Sequence, residues 1–501
     1  MLFNSISFLV FFPVVVLLYY IIPKKYRYIW LLVASYYFYM SCNAKYAFLL
    51  LFSTTATYLT AIGMDACRNN KKLDEKRIQL WKRIFVALCV TTNLLILFYF
   101  KYANFVIDNL NQILRIAHVE LLDAVDVILP VGISFYTFQA LGYIVDVYRD
   151  EVKVEKNFLR YALFISFFPQ LVAGPIERSK NLLSQMRKEH KFSFTNVRDG
   201  LVIMIWGFFL KLVIADRAAI FVDAVYSDLT TYTGYYVIIA SILFAFQIYC
   251  DFAGYSTIAM GAAKVMGFQL MDNFNAPYFS RSISEFWTRW HISLNSWFRD
   301  YLYIPLGGNR KGTIRKYINT MIVFLLSGLW HGAGMHFVVW GGINGLNQII
   351  GKILMPVRDK LQQTLHLDRN SFSHKIFQMV FTFCLVDFAW IFFRASTLSD
   401  ALLAVNSIFH ADNPWILFDG SIYSVGGGLL MQKGYQLLWF SIVILLIADI
   451  FKYKGIRVRD LINKQELWFR WLFYVVSILA ILVLGIYGYG FDEQNFIYFQ
   501  F

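Results

Sequence analysis

Apolar windows long enough to cross a hydrocarbon core of about 30 Å recur along this chain from Leu2 to Gly490. Within such a core every backbone polar group must be satisfied internally, which only helices and closed barrels achieve, and windows of about twenty apolar residues have the length of helices. With 58% hydrophobic and 16% charged residues among 501, the chain also has too little polar surface for a soluble domain of its size. The expected fold class is an all-α polytopic membrane protein with about ten to twelve transmembrane helices. Its first stretch, MLFNSISFLVFFPVVVLLYYIIP, lacks a basic leader and a small-residue cleavage pattern, so it is expected to remain as a span.

The net charge of +14 does not point to nucleic acid, because Lys and Arg fall mainly between apolar spans and not along one soluble face. By the positive-inside rule, the basic run from Arg68 to Arg83 marks a cytoplasmic loop. Counting spans backward places the Pro23 to Arg27 turn inside and Met1 outside; counting forward places 104–126, poor in basic residues, outside. A second basic loop from Lys452 to Arg470 sends Trp471 to Gly490 back across, so both termini are expected on the extracytoplasmic side. Ala395 to Gly434, nearly free of Lys and Arg and rich in Gly, Ser and Asp, reads as an external loop. The expected organisation is one transmembrane domain over 1–490, its core motifs within 164–345, followed by an extracytoplasmic aromatic motif over 491–501.

Five cysteines, Cys42, Cys67, Cys89, Cys250 and Cys384, are scattered without metal-ligand spacing; buried thiols are expected, with neither disulfides nor a metal site. Neither a Walker loop nor a dinucleotide fingerprint occurs, which argues against an ATP-driven pump or a nicotinamide enzyme. No permanently bound cofactor is expected.

The middle of the chain is less regular. Phe164 to Pro175, Gln247 to Gly254 and Ser327 to Gly345 mix apolar residues with Pro, Gly, Gln and Asp, which predicts short, tilted or broken helices around a cavity. Between them lies a polar, tryptophan-rich stretch, and there a helix is predicted from about Ser282 to Arg299. On it Ser284, Thr288, His291 and Asn295 would share one face, Trp287, Trp290, Leu294 and Trp297 a second, and Arg281, Glu285 and Arg289 a charged third. The polar row makes His291 a candidate proton-handling group; an interfacial helix with a merely packed histidine is the competing reading.

His331 follows a nearly uninterrupted apolar run, Met321 to Trp330, and opens a Gly-rich turn. Burial there favours an uncharged ring able to accept a proton, as a general base must, and Gly328, Gly332 and Gly334 are read as letting a substrate approach closely. His336 is a weaker candidate. Asp251 and Asp387 are intramembrane acids, each needing a partner or an aqueous cavity, and either is able to orient a histidine or pair with Arg. The last residues, Phe496 to Phe501, alternate aromatics with no polar tail beyond them. Ordinary termini fray, so this one is expected to dock, with Phe496, Tyr498 and Gln500 on one side of an extended strand.

Together LVAGPIERS, QIYCDFAGYSTIAMG, EFWTRWHISLNSWFRDYLYIPLGGNR and SGLWHGAGMHFVVWGGINGL resemble the membrane-bound O-acyltransferases, in the branch that O-acetylates alginate and other bacterial polysaccharides. The resemblance covers nearly the whole chain. It implies a ring of helices around a funnel-shaped core, a multi-pass protein of the bacterial cytoplasmic membrane, His331 as the catalytic histidine and His291 as its partner in a tunnel. Trp290, Trp330, Asp251, Asn295 and His336 fall within or beside these motifs and are the supporting residues. Thr257, Asn295 and the Met335-His336 pair depart from the usual pattern and bear on acyl-group and acceptor preference.

The terminal FIYFQF is similar to the C-terminal motif of the small helper protein of teichoic acid D-alanylation, in which a tyrosine is thought to carry the acyl group; Tyr498 would hold that place. The implied donor is acetyl-CoA or another acyl thioester. The implied partners are a polysaccharide acceptor, an extracytoplasmic SGNH-type O-acetyltransferase and membrane lipids, with no nucleic acid. D-alanyl transfer from an acyl carrier protein is the alternative within enzymes, and a membrane transporter the alternative outside them.

Overall fold

The computed structural model describes residues 1–172, 174–366, 368, 371–428, 430–487 and 496–497, and none of these lies in a strand. The protein is all-α and polytopic. Among the described residues, six helices are long and apolar enough to cross a membrane: Tyr46–Asn69, Glu75–Lys101, Tyr235–Val265, Phe372–Arg394, Met431–Tyr453 and Leu467–Leu484. Other apolar stretches fold into shorter helices, such as Ile133–Tyr148 with 16 residues and Phe194–Phe208 with 15. The chain forms two compact units, 1–204 with 256–271 and 205–255 with 272–501.

In the first unit the Ile133–Tyr148 helix is buried along almost its whole length, and Tyr46–Asn69 and Glu75–Lys101 pack against it. Apolar exclusion does little to join helices that are already in lipid, so polar bridges matter. Ser53 Oγ donates to Asn93 Oδ1 at 2.6 Å, and the Tyr161 hydroxyl to Thr57 Oγ1 at 2.8 Å. The break expected within 164–175 is present: the Phe158–Ser166 helix stops at Phe167 and a single turn, Phe168–Leu171, follows. The freed Phe164 carbonyl accepts from Gln139 Nε2 at 2.6 Å and from Gln170 Nε2 at 3.0 Å, which is how broken backbone survives in an apolar surround. Within 104–126, expected above on the outer side, the helix Ala103–Ile116 exposes Val106, Leu110 and Ile113 along one stripe.

The Tyr235–Val265 helix runs for 31 residues, of which 235–255 belong to the second unit. The break expected at Gln247–Gly254 is absent: Tyr249 and Asp251 there, and Ser241 before them, bond sideways to other elements and leave the helical ladder intact. The Tyr249 hydroxyl donates to Asp449 Oδ2 at 2.9 Å, Ser241 Oγ to Asp387 Oδ2 at 3.0 Å, and Asp251 pairs with Lys211. Ser327–Gly345 holds the end of one helix, Thr313–His331, and the start of the next, Met335–Ile353, joined at Gly332–Gly334. The segment Ala395 to Gly434, expected above to be an external loop, contains the helix Leu398–Phe409. Of the described residues in Leu467–Leu484 only Ile481 is buried, so this helix offers its apolar surface to lipid. Cys89 and Cys250 are buried as expected, whereas Cys42 and Cys384 are exposed. Cys384 lies on an apolar helix, where a thiol facing lipid keeps the small-hydrophobe character that burial would otherwise require.

Candidate active site

The predicted helix from Ser282 to Arg299 is broken where the chemistry is expected. Ile283–Arg289 ends at an extended Trp290, His291 takes a left-handed conformation at φ 43° and ψ 53°, and Ile292–Phe298 resumes the helix. For a non-glycine residue that conformation costs about 1–2 kcal/mol, so its surroundings must hold it in place. They do so through 273–275: Asn275 N donates to the Arg289 carbonyl at 2.9 Å, and Ile292 N to the Asn273 carbonyl at 3.0 Å. Asn295 Nδ2 closes the break from the other side, on the Trp287 carbonyl at 2.5 Å. The charged side is as predicted, with Glu285 3.0 Å from Arg289 and 3.7 Å from Arg281.

The break re-aims the histidine. Ser284 and Thr288 are exposed while His291 is 1% exposed, so the expected polar row does not form. His291 instead belongs to a buried cluster with Asn273 and Ser293. Asn273 Oδ1 accepts the Ser293 N–H at 3.3 Å, the Ser293 hydroxyl at 2.9 Å and His291 Nδ1 at 3.1 Å. A backbone N–H only donates, so it identifies that atom as the amide oxygen; Nδ1 then carries the ring proton and Nε2 is the acceptor nitrogen. Asn273 escaped the sequence reading because it precedes the tryptophan-rich stretch in a segment without periodicity.

His331 is the last residue of the Thr313–His331 helix and is 4% exposed. Trp330, Trp340 and Phe393 surround its ring edge-on at centroid distances of 4.9, 5.0 and 5.2 Å. The His291 and His331 rings stand 6.5 Å apart, with Trp330 5.9 Å from His291 and Phe252 4.6 Å from it. Trp290 stacks deeper, against Phe286 and Trp390. The two candidate histidines are thus brought together, with Trp330 beside both. At 6.5 Å between centroids a direct ring-to-ring hydrogen bond is out of reach, so any proton exchange between them runs through a third group.

A Cβ on Gly328 would stand 2.2 Å from the Phe337 carbonyl oxygen, and one on Gly332 2.0 Å from the Phe337 ring. These two glycines let the helices on either side of the turn pack closely beside His331. His336, beyond the turn, is half-buried and stacks on Phe337 at 4.2 Å. Trp297, expected on the buried face, is half-buried and packs on Tyr301.

Asp251 pairs with neither a histidine nor an arginine. Its Oδ1 is 2.7 Å from Lys211 Nζ, which is also 2.7 Å from Asp216 Oδ1, and its Oδ2 accepts the backbone N–H of Ile497 at 2.8 Å. Asp387 likewise meets Ser241 where Arg was one of the partners considered. Lys211 was passed over in the sequence although a lysine inside WGFFLKLVIA is as costly in an apolar run as the two aspartates. Phe496 is 0% and Ile497 2% exposed, so these two residues of the terminal motif are buried. Tyr498 and Gln500, and with them the expected strand, lie outside the described residues.

Comparison with known proteins matches residues 149–396 to the family model of MBOAT, the membrane-bound O-acyltransferase family. The probable alginate O-acetylase AlgI of Pseudomonas putida is 39% identical over 82% of this chain and 80% of its own. The peptidoglycan O-acetyltransferase of Helicobacter pylori is 35% identical over 75% of this chain and 72% of its own. The teichoic acid D-alanyltransferase of Streptococcus thermophilus is 29% identical over 48% of this chain and 59% of its own.

Proposed function

Because this chain belongs to the membrane-bound O-acyltransferase family, we propose that it takes an acetyl group from a cytoplasmic thioester such as acetyl-CoA and moves it across the bacterial cytoplasmic membrane for O-acylation of a cell-wall or extracellular polysaccharide. The alginate and peptidoglycan relatives match most of both chains, whereas the D-alanyltransferase matches under half of this one, which favours acetyl over D-alanyl. The observation that carries the reading is the pair of buried imidazoles 6.5 Å apart, one with its tautomer set by Asn273.

In this reading His331 removes the proton from the Tyr498 hydroxyl as that oxygen attacks the thioester carbonyl. The tetrahedral adduct collapses with cleavage of the C–S bond, the proton passes from His331 to the departing thiolate, and Tyr498 keeps an aryl ester. His291, its Nδ1–H committed to Asn273, offers Nε2 as an acceptor. That suits relaying a proton better than polarising a carbonyl. A phenol of pKa about 10 remains a better leaving group than a sugar alcohol, so the ester is still activated for the next transfer. An extracytoplasmic SGNH-type transferase then exchanges the acyl group for a polysaccharide hydroxyl proton, on the side where the basic loops put both termini.

Intact-protein mass spectrometry after incubation with acetyl-CoA tests this directly. An acetyl adduct is expected on the C-terminal peptide, absent in Tyr498→Phe, with thioester consumption reduced about 10²–10⁴-fold in His331→Ala. Full acyl transfer by Tyr498→Phe would remove the covalent relay. Thioester consumption independent of His331 would remove the catalytic assignment of that ring.

A further inference from the structure

Ile497, four residues before the last one, meets a buried ionic cluster that the proposed chemistry does not use. Lys211, Asp216 and Asp251 have side chains only 2–4% exposed, and the ammonium lies 2.7 Å from an oxygen of each carboxylate. One lysine shared between two acids leaves Asp251 with lone pairs for a further donor. The donor it takes is the backbone N–H of Ile497, 246 residues away along the chain. A charged acceptor roughly doubles the strength of such a bond, and burial keeps water from competing for it.

Neighbouring contacts point the same way. Asp251 and Tyr255 lie one turn apart on the Tyr235–Val265 helix; Tyr255 packs on the Phe496 ring at 4.1 Å and lies 5.5 Å from Lys211 Nζ. Further back, Arg217 donates to the Leu484 carbonyl at 2.7 Å and Ile486 N to the Leu212 carbonyl at 3.0 Å, within the π-helical turn Phe209–Ala215 that also carries Lys211. One turn of the Tyr235–Val265 helix therefore serves two tasks: Phe252 backs the His291 ring while Asp251 holds the residue just before Tyr498.

We infer that Lys211 and Asp251 form a clamp that seats the C-terminal tail through the Ile497 N–H, and so act as positioning residues for the Tyr498 hydroxyl. Lys211 pairs with Asp251 and aims it; Asp251 fixes the backbone; the tail's reacting group follows one residue on. The catalytic consequence rests on the reading of Tyr498 as acyl carrier, whereas the seating itself does not.

The full-length protein in lipid nanodiscs provides the test. Ile497→Pro removes the donated N–H without touching the helical core, and Asp251→Asn removes the acceptor charge. Hydrogen-exchange mass spectrometry of the C-terminal peptide is expected to show at least about tenfold faster exchange in both variants. Acetyl loading should lose kcat by a similar factor while KM for acetyl-CoA stays unchanged, because the clamp positions the nucleophile and not the donor. Asp251→Glu should restore part of the loss. If Asp251→Asn fails to fold, Ile497→Pro decides alone; tail exchange and kcat both unchanged in that variant would overturn the clamp. Tyr498→Phe separates the two claims, since it should leave tail exchange slow whether or not it abolishes transfer.

Discussion

The Oδ1 atom of Asn273 accepts from both the Ser293 backbone N–H, at 3.3 Å, and His291 Nδ1, at 3.1 Å. One amide oxygen thereby sets the tautomer of a buried imidazole and helps hold it in a left-handed backbone conformation, where the φ of 43° would otherwise favour glycine or asparagine. The strain is local and the support comes from a different element, as at sites where geometry is held for chemistry.

Asn273→Ala is expected to lower the rate of thioester consumption by about 1–3 kcal/mol of lost stabilisation, the penalty of leaving buried donors without their acceptor. The reduction should fall on kcat, because the His291 ring loses its orientation while the rest of the cluster stays. Steady-state kinetics of thiol release would check this, and an unchanged kcat would show that the tautomer plays no part in the reaction.

Gly328→Ala is expected to destabilise the fold, since the added Cβ would meet the Phe337 carbonyl oxygen at 2.2 Å, a backbone atom that cannot swing away. Overpacking of this kind costs about 1–3 kcal/mol, and the helix pair around His331 would have to part. Gly342→Ala is the matched control, because its nearest neighbour is a Leu325 methyl at 3.7 Å. Thermal unfolding in detergent should separate the two variants clearly, with Gly342→Ala close to the parent.

Glu177, in the loop after the Phe168–Leu171 turn, provides a pH-dependent element outside the apolar spans. It is 1% exposed and accepts from the Met271 N–H at 2.5 Å and from Asn181 Nδ2 at 2.7 Å. Burial pushes its carboxyl from the ordinary 4.5 up to about 7 despite those bonds. Between these values the folded chain holds a proton that the unfolded chain has released. The contribution to stability is therefore fully present below about 4.5 and lost as pH rises through about 7. Glu177→Gln should flatten that part of the profile, gaining on the parent from pH 5 to pH 8 when melting temperatures are compared. Parallel profiles for the two proteins would contradict the assignment.

Much of the architecture was legible in the linear pattern. Apolar windows and loop cations identify a polytopic helical protein, because transfer into lipid sums residue by residue along a segment. His331 was equally readable, since a histidine ending a long apolar run next to glycines has few ordinary explanations. The break at Phe167 was visible for the same reason: Pro, Gly and Gln interrupt an apolar run there. At Gln247–Gly254 a related signal without proline misled, because Tyr249 and Asp251 find lateral partners there, and partners are a property of the fold.

Composition and period by themselves determined that this chain lives in a membrane as helices and that His291 and His331 merit attention, because burial propensity and spacing are local quantities. Only the tertiary structure decided that the helix kinks at His291, that Asn273 sets its proton, that Gly328 and Gly332 serve packing, and that Asp251 meets Lys211 and the N–H of Ile497. Each of those outcomes depends on which distant groups arrive within about 3 Å of one another. That is settled by the packing of whole helices, and no short stretch of residues encodes it.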